Sequence, residues 1–87
     1  MKSRATPRFW KCYAKLPQAI RRQARKAYQL WLTNPRHPSL HFKQVDDAEP
    51  IYAVRVTDAY RALGVLEDNT ILWYWIGDHD EYERLLG

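Results

Sequence analysis

Two arginines stand inside strand-like apolar sequence, where a strand normally carries an apolar or neutral residue. Arg55 lies in the run Ile51–Val56 and Arg61 in the run Tyr60–Leu66. His79 and Tyr82 follow a third run, Ile71–Ile76. Two fixed cations can hold a phosphate and stabilise the charge that grows on it. A histidine of near-neutral pKa can move a proton. A tyrosine can hydrogen-bond the same group or stack on a base. Such a set suffices to cleave RNA without a metal. The ribose 2′-OH attacks the adjacent phosphate, one residue helps to remove its proton, and another protonates the leaving 5′-oxygen. The structural reading of the same residues is that the arginines are solvated or paired with carboxylates, His79 is a helix residue and Tyr82 a core anchor.

Register decides between these readings. If Thr57-Asp58-Ala59 is a three-residue hairpin loop, Val56 pairs with Tyr60 and Arg55 with Arg61. Both guanidinium groups then emerge on one face, directly opposite each other. Like charges so placed are unfavourable, so they are either splayed into solvent or part of an anion site. A two- or four-residue loop would put them on opposite faces.

The elements around these residues read as helices followed by strands. Thr6-Pro7 is a helix start, with Thr6 as the cap and Pro7 at the first helical position. Phe9, Tyr13 and Leu16 share one helical face. Pro17 breaks that helix and opens a second, whose apolar stripe is Ile20, Ala24, Ala27, Tyr28 and Trp31. Asn34-Pro35 ends it, because the residue before a proline is pushed out of helical geometry. The N-terminus shows no clear first strand. A first sheet strand is expected over His41–Val45, then an acidic turn, then an antiparallel meander of the three apolar runs. Ile71–Ile76 is continuously apolar and is expected to be covered on both faces. Asp78-His79-Asp80-Glu81 matches a capping box and opens a short helix with His79 and Tyr82 on one face. The class expected is α+β: a helical pair packed on a twisted antiparallel sheet of about four strands, with a short C-terminal helix.

Composition narrows the function. At 87 residues the chain makes one small domain, which buries only a little more than ~60% of its unfolded surface. Four Trp, six Tyr and two Phe fill its core and leave aromatics for a partner. A net charge of +4 and a pI near 9.4 suit an anionic partner, with nucleic acid the usual one. All ten acidic residues fall in 46–87 and none in 1–45. The basic half can bind a phosphate backbone or be neutralised internally on folding. One cysteine, Cys12, rules out an internal disulfide and suits a reducing, cytoplasmic setting. No signal peptide or membrane-spanning run is expected. His37 and His41 are four apart, but prolines forbid a helix there, and no cysteine pair accompanies them, so no metal site is expected. There is no glycine-rich phosphate loop and no dinucleotide fingerprint.

The run YAVRVTDAYRALG, followed by ILWYWIGDHDEY, resembles the RelE/ParE family of type II toxin–antitoxin toxins. LPQAIRRQARKAYQLWLTNPRHPSLHFKQV is similar to that family's helix pair, Asn-Pro connector and first sheet strand, so the resemblance spans residues 6–86. It implies a single toxin domain over residues 1–87 that acts in the cytoplasm, needs no cofactor and is neutralised by a cognate antitoxin. An antitoxin tail that folds on the aromatic and basic surface is the expected mode. Many members cleave mRNA, often on the ribosome, and others inhibit DNA gyrase without catalysis. By position, the resemblance assigns Arg55 and Arg61 to the scissile phosphate, and His79 and Tyr82 to where catalytic or RNA-contacting residues lie, so these four are the expected catalytic set. Lys43, Arg36 and His41 are the further RNA contacts expected. An mRNA endoribonuclease that inhibits translation is the leading expectation. A ParE-like gyrase inhibitor and a degenerate binding protein are the alternatives.

Overall fold

The three apolar runs form the expected meander, and the sheet extends from it at both edges. In the computed structural model, which describes residues 1–87, β3 (Ile51–Thr57) pairs antiparallel with β4 (Tyr60–Glu67) and β4 with β5 (Thr70–Asp78). The turn between β4 and β5 is Asp68-Asn69, with φ of 50° and 62°. Positive φ at both positions gives the primed turn whose twist matches that of the strands. The turn between β3 and β4 is Asp58-Ala59, and neither residue has positive φ. An unprimed turn splays its strands. A bulge at Val56 follows at once, between the pairs Arg55↔Arg61 and Thr57↔Tyr60, and supplies the extra local twist.

Two edge strands complete the sheet. β2 is only Lys43–Gln44, paired antiparallel with β3 through Lys43↔Ala53. It is shorter than the expected His41–Val45. His41 is left-handed at φ 45° as the chain leaves a 3-10 turn at Pro38–Leu40, and the Gln44 amide donates to the Asp46 and Glu49 carbonyls, closing the acidic turn. β1 (Lys2–Ala5) was not expected. It pairs parallel with β5, so the sheet has five strands in the order β1-β5-β4-β3-β2 and is mixed rather than wholly antiparallel. Only Ser3 and Ala5 of this strand are half-buried. An edge strand with small inward residues carries no hydrophobic alternation.

The helices form as the sequence indicates. α1 (Pro7–Ala14) starts on Thr6, whose hydroxyl accepts from the Phe9 amide at 3.1 Å. α2 (Gln18–Thr33) starts after Pro17 and stops at Asn34, which is extended at φ −151°. Both pack on one face of the sheet. Trp31 of α2, 2% exposed, is the centre of that layer. It meets Trp73 and Phe42 edge-on, with centroids 5.5 and 5.8 Å away. Each such pair contributes ~0.5–1.5 kcal/mol beyond area burial. β5 is internal, yet Leu72 remains 39% exposed, so its second face is covered only toward its C-terminal end. The cover there is α3 (His79–Leu86), whose Tyr82 packs with Trp75, Leu63 and Ala53 in a second core cluster. Between α1, α2 and the sheet a groove of about 440 Å³ remains, walled by Trp10, Tyr13, Tyr28, Trp31 and Trp73 and flanked by Arg4 and Arg25. No helix is long and apolar enough to cross a membrane.

Candidate phosphate-binding site

The bulge at Val56 sets the register of the site. A regular two-residue hairpin would have placed Arg55 across from Ala62 and away from Arg61. The extra residue in β3 restores Arg55↔Arg61 as direct cross-strand partners, so both Cβ atoms stand on one face of the sheet. It is the face that α3 covers, since Ala53↔Leu63 and Leu63↔Trp75 lie two residues further along the same strands. On the other side of Arg61 stands Gly77. A Cβ at Gly77 would come within 2.5 Å of the Trp75 ring, so glycine is what leaves room for that indole.

α3 is delivered to the same end of the sheet. The His79 amide donates to the Ala59 carbonyl at 2.7 Å, tying the helix start to the turn between β3 and β4. The Asp78 carboxylate caps the helix by accepting from the Glu81 amide at 2.9 Å, which is one half of the expected capping box. His79 and Tyr82 face each other with ring centroids 5.6 Å apart. The His79 Nε2 lies 3.3 Å from a Glu83 carboxylate oxygen, one helical turn on. Tyr82 is 8% exposed and stacked on Trp75 at 6.5 Å. Its ring is therefore a core element, closed to stacking on a base. Burial pushes its phenol above the ordinary 10.0, and Arg61 only partly opposes this. Tyr82 is a neutral hydroxyl at physiological pH, suited to donating a hydrogen bond and not to acting as a base.

Neither guanidinium is idle. Arg61 Nη1 donates to the carbonyls of Thr57 at 2.5 Å, Tyr60 at 3.0 Å and Asp58 at 3.3 Å, so Arg61 clamps the turn. Arg55 Nη2 donates to the Asp58 carboxylate at 2.5 Å, and its Nη1 reaches the Ser39 carbonyl at 3.5 Å. The hydrogen bond and charge of Arg55 hold the Asp58 carboxyl below its usual 3.8. Slight burial opposes this, and the charges of Arg61 and His41 add to it. Like charges are thus tolerated opposite each other because one is shared among carbonyls and the other is paired.

The expected RNA contacts are less concentrated. Lys43 stands opposite Ala53 on β2, exposed, on the same face as the arginines. His41 is exposed at the end of the 3-10 turn, close enough to Asp58 to lower its pKa. Arg36 is exposed in the connector after α2 and belongs to no bonded cluster with the others. His37 caps the 3-10 turn, its Nδ1 accepting from the Ser39 amide at 3.2 Å. No three His, Cys, Asp or Glu side chains converge as a metal site would require. Three participants escaped the sequence reading: Asp58, the Ser39 carbonyl and Glu83. Asp58 follows Arg55 by three residues across the turn, and that spacing was the available signal.

Comparison with known proteins agrees with this fold. Residues 18–84 match the family model described as the ParE-like toxin domain. No curated protein sequence matches the chain. Among solved structures, the RelB–RelE antitoxin–toxin complex from Methanococcus jannaschii superposes with a TM-score of 0.75 at 14% identity, covering 95% of this chain and 98% of that one. YafQ from E. coli gives 0.72 at 14% identity, covering 93% and 96%. The YoeB/ParE toxin from Agrobacterium tumefaciens gives 0.70 at 13% identity, covering 91% and 99%. At such identities these structures establish the fold, a helical pair on one face of a twisted sheet. With its family model matched over most of its length, the chain belongs to the ParE-like toxin family.

Proposed function

We propose that this protein is the toxin of a type II toxin–antitoxin pair and acts as a metal-independent endoribonuclease on mRNA. The observation that carries this reading is the cross-strand pair Arg55↔Arg61 at the sheet end where His79 begins α3. In the reaction the 2′-oxygen forms a bond to phosphorus and the P–O5′ bond breaks. The products are a 2′,3′-cyclic phosphate and a free 5′-hydroxyl. Arg55 and the unshared N–H groups of Arg61 face the charge that builds on the phosphate, where one preorganised donor contributes ~10²–10³ in rate. His79 transfers the proton, its ring steadied by Glu83. The Tyr82 hydroxyl donates to a phosphate oxygen. Lys43 and His41, with Arg36 further out, track the RNA backbone.

An antitoxin is the protein partner. The groove between α1, α2 and the sheet is apolar and leaves Trp10 55% and Tyr28 40% exposed. Its lining includes Arg4 and Arg25 and no Asp or Glu. An acidic amphipathic segment fits it in both shape and charge. The test of the enzymatic reading uses purified protein, alone and with translating ribosomes, on an end-labelled RNA. Fragments with cyclic phosphate ends are expected, and none from the same RNA carrying 2′-O-methyl groups. Intact RNA together with inhibition of purified gyrase would replace this reading with the non-enzymatic one, and intact RNA with gyrase unaffected would favour a degenerate binding protein.

A further inference from the structure

The Asp58 carboxylate is the one anionic group that either arginine of the site bonds. It is bonded to Arg55 at 2.5 Å. The Arg61 guanidinium reaches back over the same turn to the Thr57 and Asp58 carbonyls. His41, left-handed at the end of the 3-10 turn, adds its field at Asp58. One basic side chain therefore bonds the carboxylate and two more stand near it, while the carboxylate itself is almost wholly in water.

We propose that Asp58 is a tethered competitor. Its carboxylate holds the phosphate seat of the free protein, and a ligand phosphate enters by displacing it from Arg55, with Arg61 and His41 close by. This rests on the reading of the site as a phosphate site, and it adds both the position of the seat and a residue that limits its affinity. Two features favour it. Asp58 makes no hydrogen bond that builds the turn. The turn is held instead by Arg61 and by the Thr57 hydroxyl, which accepts from the Ala59 amide at 3.2 Å. Turn geometry therefore does not account for an acid here. Displacement is also cheap, because the competing carboxylate stands almost wholly in water. The carboxylate takes only Nη2 of Arg55, whereas a phosphate can take two N–H groups of a guanidinium and carries more charge. The free protein thus carries a damped cation pair, and a multivalent backbone is favoured over single small anions.

The test measures binding of inorganic phosphate and of a 2′-O-methyl oligoribonucleotide, which cannot be cleaved, to wild type, Asp58→Asn and Asp68→Asn. The last variant makes the same change in net charge at the other end of the sheet, at a left-handed position that suits asparagine. Arginine Nε–Hε shifts in NMR report the ligand at Arg55 and Arg61 directly. Asp58→Asn is expected to bind both probes about two- to fivefold tighter than wild type, the range for loss of an exposed ion pair, and Asp68→Asn to change them little. Equal effects of the two variants, or no gain in Asp58→Asn, would overturn the proposal. Tighter binding in Asp58→Asn by a protein that cleaves no RNA would uphold the competitor while the nuclease reading failed. Cleavage of RNA with no gain in Asp58→Asn would do the reverse.

Discussion

Arg61→Ala tests the dual place of that arginine. The side chain is half-buried and gives its Nη1 to three carbonyls, two of them within 3.0 Å. A hydrogen bond from a charged group contributes ~1.5–3 kcal/mol when shielded, and the carbonyls of an exposed turn regain water when it is lost. The net cost is then about 1–2 kcal/mol. For a domain of this size that lowers the melting temperature by roughly 5–15 °C. Arg55→Ala removes a pair to a solvent-exposed carboxylate and one long bond, and should cost less. Urea unfolding followed by Trp fluorescence compares the two, with the slope held constant so that the midpoint reports stability. Arg61→Lys should recover little, because one ammonium cannot span the carbonyls that a guanidinium fork reaches. A midpoint for Arg61→Ala equal to that of wild type, or above that of Arg55→Ala, would refute the clamp. It follows that growth assays of Arg61→Ala need a parallel stability measurement.

Other expectations concern packing, charge and pH. Gly77→Ala should destabilise by ~1–3 kcal/mol, since its Cβ would overlap the Trp75 ring, and near-ultraviolet circular dichroism should report the moved indole. Tyr82→Phe should keep the fold and lower RNA cleavage, and equal rates would remove the hydroxyl from the reaction. Burial raises the Tyr82 and Tyr74 phenols above 10.0, so their contribution to stability is complete below pH ~10 and is lost as pH rises through the folded-state values; phenolate absorbance tracked against unfolding checks the sign. RNA affinity should fall with salt by a slope of ~0.7 per phosphate contacted, and a flat response would count against a nucleic-acid partner. Trp10→Ala should weaken antitoxin binding by more than it lowers stability, because the residue is 55% exposed and packs only edge-on against Phe9 and Tyr13.

Much of the fold was legible because single residues force local geometry. Thr6-Pro7, Pro17 and Asn34-Pro35 bound the helices by sterics and capping alone, and the three apolar runs could only be strands of a meander. The arginine register was legible for an incomplete reason. The turn has two residues, not three, and the pairing survives because Val56 bulges. A bulge leaves no fixed sequence mark, since it depends on how the turn twists. β1 was hidden because its partner β5 supplies the apolar surface and Ser3 and Ala5 need only be small. In the site, residue types and their placement at one sheet end were readable, while side-chain engagement was not. That Arg61 turns onto carbonyls, that Asp58 answers Arg55 and that Tyr82 closes over Trp75 are outcomes of three-dimensional packing.

The central claim is cleavage of mRNA at a site built on Arg55 and His79. Its most direct measurement is mapping of mRNA 5′ ends genome-wide after induction of wild type, Arg55→Ala and His79→Ala at matched protein levels. New 5′-hydroxyl ends within coding regions are predicted for wild type, at least ~10²-fold fewer for either variant, with growth arrest lost in parallel. Growth arrest by all three proteins with unchanged 5′ ends would contradict the claim.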